Sequence, residues 1–101
     1  MFRRRQYTAL IDSQIDLFVR DHEHVLVEVR ERLEAYNRAG RDEAEELYGD
    51  YLDAVETGTE ILADMRDHYA RSLDDPDAYL REFNQAVARR LPEYALEIEN
   101  R

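Results

Sequence analysis

The chain has 101 residues, and its 24 acidic side chains outnumber its 14 basic ones, giving a net charge of −10. A surface this acidic repels a phosphate backbone, so the composition disfavours nucleic-acid binding. The absence of cysteine excludes disulfides, thiolate metal sites and cysteine nucleophiles. Every basic residue is arginine, a bias typical of GC-rich coding sequences and also of proteins from a high-salt cytoplasm.

The first residues are basic, as in a signal peptide, but no apolar segment follows them. Gln6, Asp12 and Asp16 occupy that stretch instead, and no apolar run approaches the ~18 residues that span a bilayer. We therefore expect a cytoplasmic protein without a membrane partner. The arginines at residues 3–5 form a short basic patch, which fits either a solvated terminus or a contact with an acidic surface of a partner or of another copy.

Apolar side chains recur at steps of three and four residues in the first third of the chain, which is the spacing of an amphipathic helix. This pattern predicts a helix over about residues 5–38 that ends before Gly40, a residue suited to a left-handed C-terminal position. The stripe consists of Tyr7, Ile11, Ile15, Phe18, His22, Val25, Leu26, Val29, Leu33 and Tyr36.

The same spacing continues after a short turn and predicts a second helix over about residues 42–73. Asp42, with Glu45 three residues later, resembles a capping box at its start. A third helix is predicted over about residues 76–99, since Asp75 and Pro76 suit a helix start and Pro92 should interrupt it near Leu91. The second stripe consists of Ala44, Tyr48, Tyr51, Val55, Gly58, Leu62, Met65 and Tyr69.

These elements predict one all-α domain over residues 1–101: an elongated antiparallel helical hairpin plus a shorter, Pro-interrupted third helix, arranged as a three-helix bundle. The first two helices would be roughly 45–50 Å long, whereas a compact domain of this size has a radius of gyration of only ~13 Å. A third, shorter helix would leave part of both stripes uncovered, so we expect a homodimer. The candidate interface residues are Leu10, Leu17, Phe18, Tyr48, Tyr51 and Tyr69.

His22 and Gly58 interrupt the two stripes. Folding the hairpin about Gly40 places them opposite each other, which predicts a buried histidine packed against a glycine notch. His22 and His24 are two residues apart and should point to nearly opposite faces of one helix. The dense run at residues 21–24 is therefore not predicted to be a two-histidine metal site.

A second group of potential ligands comes from three helices. Folding about Gly40 brings Asp12 beside Asp64 and His68, and folding about the second turn near Asp74 adds Glu82. This set would suit a divalent metal ion between helices. Carboxylate-bridged di-iron bundles use Glu-x-x-His pairs, however, and this chain contains none. The alternative for these residues is surface ion pairing.

The sequence thus favours a non-enzymatic helical bundle that acts through protein–protein interaction or homo-oligomeric assembly. Its tyrosines suit an interface, because they bury apolar area and keep a hydroxyl for a wet or polar partner. The alternative is a small metal-binding or ligand-binding protein, or an enzyme, with its carboxylate and histidine site between helices.

Overall fold

A computed structural model describes residues 6–101, and all of its regular elements are helical, which confirms the all-α prediction for that part of the chain. The basic patch at residues 3–5 lies outside the described residues. The helices are α1 (Thr8–Asp21), α2 (Glu23–Asn37), α3 (Ala44–Ala70), α4 (Asp77–Arg90) and α5 (Ala95–Glu99), and a 3-10 turn at Pro92–Tyr94 precedes α5.

The long first helix predicted by the sequence is two helices separated at His22. The backbone there has φ −124° and ψ 33°, outside the helical region. The His22 N–H still donates to the Phe18 carbonyl at 2.8 Å, and the Val25 N–H donates to the His22 carbonyl at 2.9 Å. Because α1 packs on α4 whereas α2 packs on α3, the break separates two segments that pack against different helices.

The turn between α2 and α3 differs in detail from the prediction. Gly40 does not adopt a positive φ, and its carbonyl accepts the N–H groups of Glu43 and Ala44, each at 3.1 Å. Because α3 begins at Ala44, the capping box expected from Asp42 does not form at its first turn, and no side chain within residues 6–101 caps that helix.

The chain between α3 and α5 contains both prolines. The Asp77 N–H donates to Asp75 Oδ1 at 3.3 Å at the start of α4. The helix ends at Arg90, and Pro92 opens the 3-10 turn, which is where the sequence placed the interruption. That turn directs Tyr94 and the short α5 back onto α3.

The described residues form two parts, which we call the hairpin and the body. The hairpin, residues 23–57, consists of α2 and the N-terminal half of α3. The body contains α1, the C-terminal half of α3, α4, the 3-10 turn and α5, with α4 contacting all of the others. The described chain is elongated, 52 × 28 × 21 Å in extent with a radius of gyration of 15.5 Å.

The apolar core lies mainly in the body and extends into the hairpin at Val25, Val29, Ala54 and Val55. Each of its large side chains contributes roughly 1.5–3 kcal/mol when fully withdrawn from water. The spacing of three and four residues in α1 and α3 continues into α4, so one apolar side of each helix faces inward. The side chains with no exposed surface include Ile15, Phe18, Leu62, Tyr79, Phe83, Val87, Tyr94 and Ile98.

Gly58 faces the Tyr94 ring, which occupies the predicted glycine notch, and the prediction that His22 is buried is wrong. A Cβ built on Gly58 would lie 2.5 Å from Tyr94 Cε1 and 2.6 Å from its hydroxyl oxygen. His22 is only partly buried, with its ring 5.5 Å from the Phe18 ring and 6.1 Å from the His24 ring. The break at His22 removes the continuous-helix geometry on which both the pairing and the opposite-face argument depended.

Gly58→Ala is expected to lower the free energy of unfolding. The added methyl group would overlap the Tyr94 ring, and overpacking of this kind costs about 1–3 kcal/mol, which exceeds the ~1 kcal/mol by which alanine improves a helix. Urea unfolding followed by circular dichroism measures the change.

Gly49 provides the matched control in the same helix, because a Cβ there meets nothing within 4 Å. Gly49→Ala should therefore raise the free energy of unfolding by about 0.5–1 kcal/mol. Stabilisation by both substitutions would contradict the Gly58–Tyr94 contact.

Alkaline pH should destabilise the fold through its buried tyrosines. Burial raises the pKa of Tyr94, and likewise that of Tyr79, from 10.0 to about 12. The unfolded chain releases these protons near pH 10, whereas the folded chain retains them, so stability is intact below pH 10.0 and declines as the pH rises towards about 12.

The absence of lysine simplifies this measurement, because the ordinary lysine pKa of about 10.4 lies in the same range. Urea midpoints recorded from pH 8 upward should fall less steeply above about pH 10 in Tyr94→Phe than in the wild type. An equal or steeper fall in the variant would contradict the assignment.

Candidate interaction surface

The outer end of the hairpin carries apolar side chains outside the buried core, and of these only Tyr51 packs partly against it. Buried residues of α2 end at Val29, and on α3 they begin only at Ala54. Beyond these positions Tyr48 is 45% exposed and Leu52 is 42% exposed. We call the set Leu33, Tyr36, Tyr48, Tyr51 and Leu52 the hairpin face.

The tyrosines of the hairpin face form a connected cluster. The Tyr36 and Tyr48 ring centroids are 5.1 Å apart, and those of Tyr48 and Tyr51 are 6.1 Å apart. Burial raises the pKa of Tyr51, and the carboxylate of Glu93 raises it further. Glu93 belongs to the 3-10 turn, which packs on α3 and places the neighbouring Tyr94 against Gly58, at the inner end of the hairpin face.

The hairpin face continues a side of α3 that the body covers. Thr59 and Arg66 are buried on that side, and steps of ~100° per residue place them within about 60° of Tyr48 and Leu52. The flank of the hairpin that carries the ion pair between Arg32 and Asp50 (3.5 Å) lies on the other side of the helix pair. One side of α3 is thus covered in its C-terminal half and exposed in its N-terminal half.

Arg66 anchors the C-terminal segment, residues 92–101, which covers this side of α3 in the body. Its side chain is 4% exposed, and its Nε donates to Asp67 Oδ1 at 2.8 Å. Its Nη1 donates to Asn84 Oδ1 at 3.0 Å and to the Ile98 carbonyl at 3.1 Å. One guanidinium therefore joins α3, α4 and the last turn of α5. Arg101 adds exposed ion pairs to Glu56 and Glu60, which contribute little on their own.

Charges along the hairpin are distributed unevenly. From Ala44 to Met65, every charged residue of α3 is acidic. Glu45 and Glu56 border the hairpin face on α3, because they stand three or four residues from Tyr48 and Leu52. Glu93 stands at its inner end, on the 3-10 turn that packs on α3. Arg30 borders it from α2. Arg101 pairs with Glu56 at 3.4 Å, so Glu45 and Glu93 supply the unpaired negative charge of the border among the described residues.

The residues predicted as a metal site lie in two places. Asp12 and Glu82 line a small cleft between α1 and α4. Asp64 and His68 line a groove between α1 and the end of α3. Within residues 6–101, no three histidine, aspartate or glutamate side chains come together as potential metal ligands, so the predicted convergence does not occur.

Several of these polar groups have protein partners. Glu82 accepts the Gln6 and Tyr7 N–H groups at 3.3 and 3.1 Å. Asp12 Oδ1 lies 3.8 Å from Arg90 Nη1, and His68 Nδ1 lies 3.5 Å from Arg71 Nη2. These contacts match the alternative of surface ion pairs and hydrogen bonds.

The predicted interface residues are also divided between two regions. Phe18 is fully buried in the body and packs edge-on against Tyr94 with ring centroids 6.2 Å apart, so it is not available to a partner. Leu10 and Tyr69 are partly buried against the core, whereas Leu17 is 43% exposed on α1. The two remaining candidates, Tyr48 and Tyr51, lie on the hairpin face. Leu52 was missed because it stands outside the main apolar stripe.

Comparison of the chain with protein-family models, with curated proteins and with solved structures gave no match. Among the described residues, none of the helices combines the length and the apolar character needed to cross a bilayer.

Arg66→Ala should lower the free energy of unfolding by about 2 kcal/mol, because it leaves buried acceptors on Asn84 and Ile98 without a donor. The loss should be concentrated in the C-terminal segment, so amide hydrogen exchange at residues 95–99 should accelerate more than exchange in α2. Arg71→Ala serves as the control, since this exposed arginine at the end of α3 should change stability by no more than about 0.5 kcal/mol. Equal acceleration throughout the chain would contradict the local anchoring role of Arg66.

Proposed function

We propose that this protein is a non-enzymatic interaction protein that presents its hairpin face to another protein chain. One observation carries the proposal: the hairpin has a tyrosine-rich side on which Tyr48 and Leu52 remain exposed, although Tyr51 packs partly against the core. Solvent-exposed apolar side chains are common when scattered, but a connected cluster on a projecting element is typical of a binding surface.

The composition of the hairpin face supports this proposal. Tyrosine is enriched at protein interfaces because its ring buries apolar area while its hydroxyl keeps a polar partner. Tyr36, Tyr48 and Tyr51 supply three linked rings, and Leu52 adds an aliphatic side chain beside them. A rigid scaffold is also available, since α3 runs without interruption from the body into the hairpin.

Site-specific photo-crosslinking in living cells tests the proposal. With benzoylphenylalanine in place of Leu52, irradiation should give one discrete adduct, because a bound chain would lie against that position. The mass of the adduct distinguishes a second copy, at twice the 12.1 kDa of the chain, from a different protein.

Leu17 provides the matched control, as its exposed fraction of 43% is close to the 42% of Leu52 and it lies on the body. The photoreactive residue at position 17 should give no discrete adduct. Absence of an adduct from position 52, or the same adduct from both positions, would contradict the proposed function.

A further inference from the structure

We propose that the hairpin face binds a cationic amphipathic helix of a different protein, laid along α3 in line with the body's own C-terminal segment. This inference rests on the proposed function and specifies the chemistry of its partner. It depends on the shape of the hairpin face and on the charges at its border.

The shape follows from the two halves of α3. In the body, the side of α3 that carries Thr59 and Arg66 is covered by the C-terminal segment and α4. That segment turns away at Pro92–Tyr94, and beyond the turn the same side of α3 presents Tyr48 and Leu52 to solvent. A helix placed there would extend the packing of the body along α3. This is the helix-in-groove mode of recognition, which uses apolar side chains at helical spacing as anchors.

The charge of the border selects a cationic ligand. Glu45 and Glu56 stand on α3 beside the exposed apolar side chains, and Glu93 stands on the 3-10 turn that packs on α3. Arg30 lies across the hairpin, and Arg101 lies beside Glu56. Within the described chain, Glu45 and Glu93 form no ion pair, whereas Glu56 is paired with Arg101 at 3.4 Å. Lysine or arginine on the flanks of a bound helix would face these carboxylates, and complementary charge of this kind mainly raises the association rate and excludes acidic competitors.

A second copy of the chain fits the hairpin face less well. It would bring another net charge of −10 and another acidic α3 against the first. The available area is also small, since two helices of about 22 Å length and ~10 Å width offer about 440 Å². A standard interface between globular proteins buries about 800 Å² on each side. A single helix requires less area than a second folded chain.

Two synthetic helical peptides test the inference with the 101-residue chain. Each has about 18 residues, or about 27 Å of helix, with leucine at helical spacing on one face. The flanking positions are lysine in one peptide and glutamate in its twin. Fluorescence anisotropy should show that the lysine peptide binds at least about tenfold more tightly than the glutamate twin, a difference of about 1.4 kcal/mol.

Variants of the protein separate the apolar and electrostatic contributions. Leu52→Ser should weaken binding of the lysine peptide by about fivefold or more, and Leu17→Ser should leave it unchanged. The double substitution Glu45→Arg with Glu93→Arg should reverse the preference between the two peptides. Glu31→Arg makes the same type of change on the far side of α2 and should not reverse it.

Each alternative result overturns the inference. Equal binding of both peptides, or no binding of either, would exclude a cationic helix as the ligand of the hairpin face. Unchanged binding in Leu52→Ser would show that attraction by net charge is sufficient, and an equal loss in Leu17→Ser and Leu52→Ser would show that the peptide does not bind specifically at the hairpin face. A wild-type dimer in native mass spectrometry that Leu52→Ser dissociates would identify a second copy as the occupant. In that case the crosslink from position 52 would still form, so the proposed function would survive the failure of this inference.

Discussion

The length of α3 is the constraint on which the rest of the structure depends. Its 27 residues span about 40 Å, and no other helix between residues 6 and 101 is long enough to run beside all of it. Two sets of neighbours divide it instead, with α2 along the N-terminal half and α4 and α5 along the C-terminal half. The elongation of the molecule and the exposure of the hairpin face both follow from that unequal division.

The division also explains where the interior is firmly packed. Tyr94 fills the space that Gly58 leaves on α3, and Arg66 satisfies backbone and side-chain acceptors from two other segments. Both contacts lie in the body. Among the described residues, the ion pairs of the hairpin are exposed, as between Arg32 and Asp50 and between Arg101 and Glu56. Buried packing continues from the body into the hairpin only as far as Val29 on α2 and Ala54 on α3.

Helical periodicity was sufficient to predict α3 and the all-α class, because its apolar residues keep steps of three and four from Ala44 to Tyr69. The break at His22 carried no such signal. It contains neither glycine nor proline, and the apolar spacing runs through it unchanged. Only the change of packing partner from α4 to α3 accounts for it, and tertiary contacts of that kind are not visible in a single sequence.

The candidate site was partly predictable for the same reason. Tyr48 and Tyr51 stood on the apolar stripe, and the excess helix length indicated that some of the stripe would remain exposed. Phe18 stood on the first stripe in the same way, but the segment after Pro92 folds back and buries it. The spacing of four residues between Tyr94 and Ile98 was the available sign that this segment has an apolar side of its own.

The separation of hairpin and body has a consequence for the order in which the chain folds. Contacts between α2 and α3 join neighbours across a short turn, whereas the body closes through pairs such as Tyr79 with Gln14 and Arg90 with Asp16, which are 65 and 74 residues apart. Closing a short loop costs less chain entropy, and local contacts form faster than distant ones. We therefore expect the hairpin to form early in folding. The core of the body forms later, because it requires contacts between the two ends of the chain.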